Sequence, residues 1–328
     1  MSWTAINKTA RNLLAALLLA LCLAGPAQAL GPFSHFTLAQ DLWSHLGPVL
    51  SPSPAERERL FQVFLAGSIA LDTGYYPGAE VNLASSVHLI KPWQVCRALL
   101  ALAATPAERA FALGWLSHAL LDRRGHQELV NPLAGGAFSQ QGYAHKQAEW
   151  GLDCWLLARP QGDWLWRARP DYGPGLGLWA RALAQVYGAR VPRTLLVQAM
   201  EAELKEVRRL PYVFWLSGRL QRPGGWAGNA LGWLLGRTAR PAYVAWLQWR
   251  GRDLDARAVL TARWPRPEDA AKLAQVLRQA RQDTLALLTL PPSAWPSGNL
   301  DADPACQDLA CPDARAAAAW LKSLPPAP

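Results

Sequence analysis

All six histidines of this 328-residue chain lie before residue 146, and residues 146–328 contain none. Five of the six alternate with carboxylates along the sequence. The alternating set is His35, Asp72, His88, His118, Asp122, His126, His145 and Glu149. Imidazole and carboxylate groups together are what Zn²⁺ selects among side chains. We therefore expect a fold that brings these dispersed residues together around more than one zinc ion.

Two of the histidines precede a carboxylate by four residues, a spacing that places both side chains on one helix face. His118 and Asp122 form the first pair, and His145 and Glu149 form the second. Either pair alone is more often a hydrogen-bonded pair on a helix than a metal site. The ordered combination of five histidines and three carboxylates favours a multinuclear zinc site.

Helix signals dominate the chain, and convincing alternating strand patterns are absent. Ser53-Pro54-Ala55-Glu56 and Thr105-Pro106-Ala107-Glu108 each combine an N-cap residue, a proline and a capping-box glutamate. The second signature predicts a helix to about Arg124, with Gly125 as its C-terminal stop. Further helices are predicted at about 143–157, 176–188, 192–209, 239–250 and 267–288, and long loops at 125–140, 159–175 and 218–230. The predicted fold is all-α: a multi-helix bundle around a buried multinuclear zinc site, with a helical C-terminal extension.

The first 29 residues predict a signal peptide. Lys8 and Arg11 form a positive segment, residues 13–23 are apolar, and Ala27-Gln28-Ala29 is a small-residue cleavage signal. The apolar run is shorter than the roughly 20 residues that cross a bilayer. We expect an exported protein, periplasmic or secreted, whose mature chain begins at Leu30. Removal of two basic residues and no acidic one lowers the net charge from +9 to +7.

The mature chain divides by composition into two parts. Residues 30–190 carry the histidines and are predicted to form the catalytic domain. Residues 191–328 are predicted to form a Trp/Arg-rich helical extension, to which the sequence assigns no role.

Four cysteines follow the predicted cleavage site, and an even number in an exported protein favours disulfides. Of the three possible pairings, we expect Cys306–Cys311 to close a short loop and Cys96–Cys154 to join two core segments. Buried thiols at Cys96 and Cys154 are the alternative. None of the four has the C-x-x-C spacing of a zinc ribbon.

The ordered motif resembles the bacterial zinc-dependent phospholipase C family, whose all-helical, trinuclear-zinc fold is shared with single-strand-specific fungal and plant nucleases. The resemblance covers about residues 30–160. It is carried by His35, the AGSIALD segment 66–72, His88, the GWLSHALLD segment 114–122, His126 and the HKQAE segment 145–149. Leu30 stands where the family usually has Trp, Leu71 stands where it commonly has Pro, and the Asp122–His126 spacing is shorter than is typical.

This resemblance implies two to three zinc ions. The implied ligands are Leu30 and His35 for one ion, Asp72, His88 and His118 for a second that Asp122 bridges to the first, and His126, His145 and Glu149 for a third. Leu30 would contribute its α-amino nitrogen and carbonyl oxygen once the signal peptide is removed. The candidate catalytic residues are Asp122, which holds two ions together, and Asp72, which orients the attacking water or accepts its proton.

The function implied is that of an exported phospholipase C, which releases diacylglycerol and a phosphorylated headgroup through attack by a zinc-bridging hydroxide. Glu149 favours this branch, since the nucleases generally have aspartate there. Residues 207–252 contain eight arginines, five tryptophans and no acidic residue. That composition suits a phospholipid membrane surface, single-stranded nucleic acid or a Trp-rich core with solvated arginines.

Two alternatives remain open at this point. One is a single-strand-specific nuclease or 3′-nucleotidase of the same fold. The other, ranked lower, is a non-catalytic zinc-binding protein. The sequence indicates no obligate protein partner.

Overall fold

The computed structural model describes residues 30–221 and 264–327. The predicted signal peptide, the predicted helix at 239–250 and most of the Trp/Arg-rich segment lie outside these residues. Within them the secondary structure is helical, which confirms the all-α prediction. An isolated bridge between Ala189 and Pro326 is the one strand-like pairing in the described part of the chain.

The described residues contain eleven α-helices. They are α1 Pro32–Leu50, α2 Pro54–Gly67, α3 Val81–Leu89, α4 Pro92–Leu102, α5 Pro106–Gly125, α6 Asn131–Ala134, α7 Phe138–Leu157, α8 Gly173–Tyr187, α9 Arg193–Gln221, α10 Pro267–Leu287 and α11 Pro312–Ser323. Three-residue-per-turn helices span Ala70–Tyr75, Pro160–Arg167, Pro292–Ala294 and Pro304–Leu309, and a π turn spans His126–Val130. None of the described helices has both the length and the apolar character needed to cross a bilayer.

The two capping signatures start helices as predicted. Thr105 accepts a hydrogen bond from the Glu108 backbone at 3.1 Å, and the Glu108 carboxylate accepts one from the Thr105 backbone at 3.3 Å, which completes the capping box of α5. At the start of α2, Ser53 likewise accepts from the Glu56 backbone at 3.4 Å. The Glu56 carboxylate accepts instead from the Ser51 hydroxyl at 2.7 Å, so this second capping box is only half formed.

The α-helix ends at Gly125, as predicted, but the glycine does not turn the chain out of its helical path. Gly125 has helical dihedral angles (φ −62°, ψ −44°), and the chain continues through the π turn into α6. A Cβ atom at this position would lie 2.1 Å from Cδ1 of Leu30, so the glycine makes room for that side chain. The predicted loop at 125–140 is consequently largely helical, and α7 begins at Phe138.

Helices α2 and α5 cross at a distance that only glycine permits. A Cβ atom on Gly67 would lie 2.1 Å from the Phe111 carbonyl oxygen, and one on Gly114 would lie 2.2 Å from the Phe64 carbonyl oxygen. This crossing brings the end of α2 against His118 of α5, whose Nδ1 lies 2.8 Å from the Ser68 carbonyl oxygen. Backbone packing therefore fixes the position of one predicted ligand.

The hydrophobic core continues across residue 190, where composition suggested a division. Leu196 and Ala199 of α9 and Leu273 and Val276 of α10 are buried in the same cluster as the residues of α1 to α8. Helix α10 packs against α5 and α1, and α11 packs against α3.

The Cys306–Cys311 disulfide is confirmed. The Cys96–Cys154 disulfide is wrong, because both residues are buried cysteines outside any disulfide. Cys96 lies on α4, which packs against α3, α5 and α8, whereas Cys154 lies on α7, which packs against α1, α6 and α9. Burial raises the pKa of Cys96 to about 12, so its thiol stays protonated in the core.

The α2–α5 crossing is tested by substituting Gly114 with alanine. We expect Gly114→Ala to destabilise the protein by about 1–3 kcal/mol or more, because the new methyl group meets backbone that cannot rotate away. The control is Gly177→Ala on an exposed position of α8, where the methyl group meets only a flexible arginine tip at 3.6 Å. Removing this glycine should raise stability by up to about 1 kcal/mol. Denaturant unfolding measures both; equal effects in the two variants would contradict the close crossing.

Candidate metal centre

The eight side chains predicted as zinc ligands come together in the interior. Each is at most 2% exposed. Seven of them offer donor atoms that form two groups, within each of which the atoms lie no more than 4.8 Å apart. The first group, which we call the Asp122 group, is Asp72, His88, His118 and Asp122; the second, the Glu149 group, is His126, His145 and Glu149.

Asp122 is the centre of the first group. Its carboxylate oxygens lie 2.9 Å from Nε2 of His118, 3.3 Å from Nε2 of His88 and 3.2 Å from Nε2 of His35. The Asp72 carboxylate lies 3.2 Å from Nε2 of His88. The rings of His35 and His118 stack with their centroids 3.7 Å apart. His35 of α1 thus contacts the same carboxylate, Asp122, as the histidines of this group.

The Glu149 group is continuous with the first. Glu149 Oε1 lies 3.2 Å from His145 Nδ1 and 3.5 Å from His126 Nε2. His126 Nε2 is also 4.0 Å from Asp122 Oδ1. Because the chain continues past Gly125 in a π turn, His126 lies one helical turn beyond Asp122. The short Asp122–His126 spacing is accommodated in this way.

For three of the five histidines, the partner of the outer ring nitrogen determines which nitrogen faces the centre. Nδ1 of His88 lies 2.9 Å from the Ala84 carbonyl oxygen, and Nδ1 of His118 faces the Ser68 carbonyl. A carbonyl oxygen only accepts, so both Nδ1 atoms carry hydrogen and both Nε2 atoms face the carboxylates. In His145 the roles are exchanged, since Nε2 lies 3.0 Å from Asn131 Oδ1 and Nδ1 faces Glu149. Such outer partners orient histidines that bind metal.

Several inward-facing atoms are buried without a hydrogen-bond partner in the described part of the chain. They are Nε2 of His35, His88 and His126, Nδ1 of His145, and one oxygen each of Asp72 and Asp122. Buried polar atoms are normally hydrogen-bonded. These six instead face one another without forming hydrogen bonds. A cation between them would satisfy all of them, and the mixed nitrogen and oxygen donor set fits Zn²⁺.

The titration behaviour of the histidines agrees with this arrangement. Burial lowers the pKa of His126 to about 3 and that of His145 to about 4, so both rings stay neutral electron-pair donors at neutral pH. Burial also opposes protonation of His118, yet the charges of Asp122 and Asp72 raise its pKa. Burial likewise disfavours the Asp122 carboxylate, but the charge of His118 and the imidazole contacts hold its pKa well below the usual range. A proton and a zinc ion therefore compete for the same place between imidazole and carboxylate.

Asp153 is a functional residue that the sequence reasoning missed. Its carboxylate accepts hydrogen bonds from the backbone of Phe33 and Ser34, both at 2.9 Å, and from the Ser34 hydroxyl at 2.6 Å. A side chain of α7 thereby caps the start of α1 and fixes His35 in front of Asp122. The available signal was its position four residues after Glu149, on the same face of α7.

Leu30 lies immediately before α1, with its side chain buried against Gly125. It is thus close to the end of α5, between Asp122 and His126 of the π turn. Its ligation through the backbone amine and carbonyl stays a prediction.

Comparison with known proteins gives one match. A family model described as zinc dependent phospholipase C matches residues 34–206, a range that includes all eight predicted side-chain ligands and extends into α9. Neither the curated proteins nor the solved structures include a match to the chain.

Asn131 gives a test of the histidine orientation. Asn131→Ala removes the acceptor for His145 Nε2, so the ring is free to rotate away from Glu149. We expect zinc affinity, measured by competition with a chromophoric chelator, to fall about 10–100-fold. Asn131→Asp keeps an acceptor in the same place and should bind zinc nearly as tightly as the wild type. Wild-type affinity in Asn131→Ala would contradict this role.

Proposed function

The chain belongs to the zinc-dependent phospholipase C family, and on that premise we propose that it is an exported phosphodiesterase that hydrolyses phospholipids to diacylglycerol and a phosphorylated headgroup. Family membership indicates a zinc-dependent hydrolase. The observation that carries the proposal is the convergence of two buried histidine–carboxylate groups through Asp122. Scattered structural histidines would not aim their ring nitrogens at common points.

We propose two to three zinc ions. The Asp122 group and the Glu149 group each offer enough donors for one ion. His35, with the Leu30 backbone, would hold the third, and Asp122 would bridge two ions because its two oxygens face different imidazoles. Zinc, when bound, would lower the pKa of water from 15.7 to about 7 and neutralise charge on the phosphodiester.

The protein's own groups would position the attacking water and hold the histidines in place. Asp72, at the end of α2 on the turn Ala70–Tyr75, has one buried oxygen that no described donor satisfies. We assign it the role of orienting the attacking water or accepting its proton. The Ala84 and Ser68 carbonyls keep His88 and His118 in place, so these side chains need no rearrangement during the reaction.

We also propose that the protein is exported and that its signal peptide is removed. If the signal peptide is removed after Ala29, Leu30 gains a free amine immediately before α1. Two features of the fold support an ordered N-terminus at this point: the Leu30 side chain is buried, and Asp153 caps the following helix. An amide nitrogen in an unprocessed chain has no lone pair to donate, so processing would complete the site.

The second candidate is a single-strand-specific nuclease. The same ligand pattern serves both reactions, and the Trp/Arg-rich segment suits both substrates. Glu149, where the nucleases generally have aspartate, favours the phospholipase. The substrate therefore needs a direct test.

The metal requirement is tested with Asp122→Asn. We expect the mature protein, its N-terminus sequenced as Leu30, to carry two to three zinc ions by mass spectrometry and to lose activity on chelation. Asp122→Asn should lose at least one ion and all measurable activity, because one oxygen of a bridging carboxylate becomes a poor ligand. The control Asp41→Asn changes an exposed residue of α1 and should keep both. Less than one zinc per wild-type chain would refute the proposal.

The substrate is tested with phosphatidylcholine vesicles, a short-chain monomeric phospholipid and denatured DNA. We expect release of diacylglycerol from both lipids. Replacing Trp226 and Trp233 with alanine should lower activity on vesicles and leave the monomeric lipid nearly unaffected, because interfacial binding and hydrolysis are separate steps. On vesicles that also contain an anionic lipid, salt should weaken binding, since each basic residue near an anionic surface adds about 1 kcal/mol. Cleavage of single-stranded DNA with no diacylglycerol release would establish the nuclease instead.

A further inference from the structure

The segment between α10 and α11 lies against the metal centre, although no sequence motif marks it. The Leu300 backbone donates a hydrogen bond to the carbonyl oxygen of His88 at 3.0 Å. The Asn131 side chain donates to the carbonyl oxygen of Asp301 at 3.3 Å while its own oxygen faces His145. This segment, residues 298–303, therefore touches a ligand of the Asp122 group and the orienting residue of the Glu149 group.

The segment is held in one conformation. Asn299 donates to the Asp303 carbonyl at 2.8 Å and accepts from the Asp303 backbone at 3.0 Å, and both residues are buried. The Asp303 carboxylate in turn accepts from the backbones of Ala305 at 2.9 Å and Ser139 at 3.3 Å. Gly298, whose φ is +85°, allows the chain to turn at the start of this segment. Asp301 thus lies in a turn that these hydrogen bonds stabilise.

The Asp301 carboxylate differs from that of Asp303 in having a buried oxygen that no described donor satisfies. Asp301 is 8% exposed. Burial raises its pKa to about 7, and the charges that act on it are those of His88, Asp122, Glu149 and Asp303. These include members of both ligand groups, and His88 is the one among them that can carry a positive charge. A carboxylate in such a place lacks the cation that would compensate it.

Zinc ions held by the two ligand groups would provide that cation. The two groups contain three carboxylates, whereas two Zn²⁺ ions bring four positive charges. A buried excess of charge is costly unless it is paired. An additional carboxylate beside both groups would reduce this excess.

We propose that Asp301 is a further carboxylate of the metal centre, contributed by the C-terminal segment and compensating the charge of the ions in both groups. The inference rests on the proposed zinc chemistry and adds a residue outside the recognised motif and outside the matched range 34–206. It also gives the C-terminal segment a direct role in the site.

The test compares Asp301→Asn with Asp308→Asn, a change of the same kind at an exposed position of the helix Pro304–Leu309 that follows the segment. Zinc affinity is measured by chelator competition, ion number by mass spectrometry, and stability of the zinc-free proteins by thermal unfolding. We expect Asp301→Asn to lower zinc affinity about 10-fold or more, while Asp308→Asn matches the wild type. Without zinc, Asp301→Asn should unfold at or above the wild-type temperature, since it removes an uncompensated buried charge.

Two results would overturn the proposal. One is wild-type affinity and ion number in Asp301→Asn. The other is a zinc-free Asp301→Asn protein that is unfolded or less stable than Asp308→Asn, which would make Asp301 a structural residue. A wild-type protein that binds no zinc would instead refute the proposed function on which this inference rests.

Discussion

The buried carboxylate of Asp122 is the interaction on which the rest of the structure depends. Three imidazoles from three helices, α1, α3 and α5, lie within 3.3 Å of it. A carboxylate removed from water needs compensation by positive charge or by hydrogen bonds. The helices can therefore bury this residue only in an arrangement that brings His35, His88 and His118 to it. The packing of these helices and the assembly of the site thus depend on the same contacts.

Groups outside the ligand set maintain this arrangement, and most belong to the backbone. The close α2–α5 crossing at Gly67 and Gly114 carries the Ser68 carbonyl to His118. Asp153 anchors α1 through two backbone N–H groups. Asn131 connects His145 to the C-terminal segment. Each contact removes a rotation that would separate a donor atom from its neighbours, so the centre is preorganised for its ions.

The parts of this structure that follow local rules could be read from the sequence. The Thr105 capping box, the four-residue spacing of the two histidine–carboxylate pairs and the all-α class depend on neighbours within one helical turn. Gly125 shows where local rules fail: a glycine after a basic helix end normally turns the chain out of its helical path, but here it makes room for Leu30. The Cys96–Cys154 pairing failed because cysteine number does not reveal which helices pack together. Asp301 could not be identified, since its role comes from a turn far from the motif in sequence.

The central claim is that the Asp122 and Glu149 groups bind zinc, and anomalous diffraction at the zinc absorption edge from crystals of the mature protein tests it most directly. We expect one strong anomalous peak among Asp72, His88, His118 and Asp122 and another among His126, His145 and Glu149. A further peak should lie beside His35 if the Leu30 amine is a ligand. Zinc peaks confined to surface residues, with both groups lacking anomalous density in zinc-saturated crystals, would contradict it.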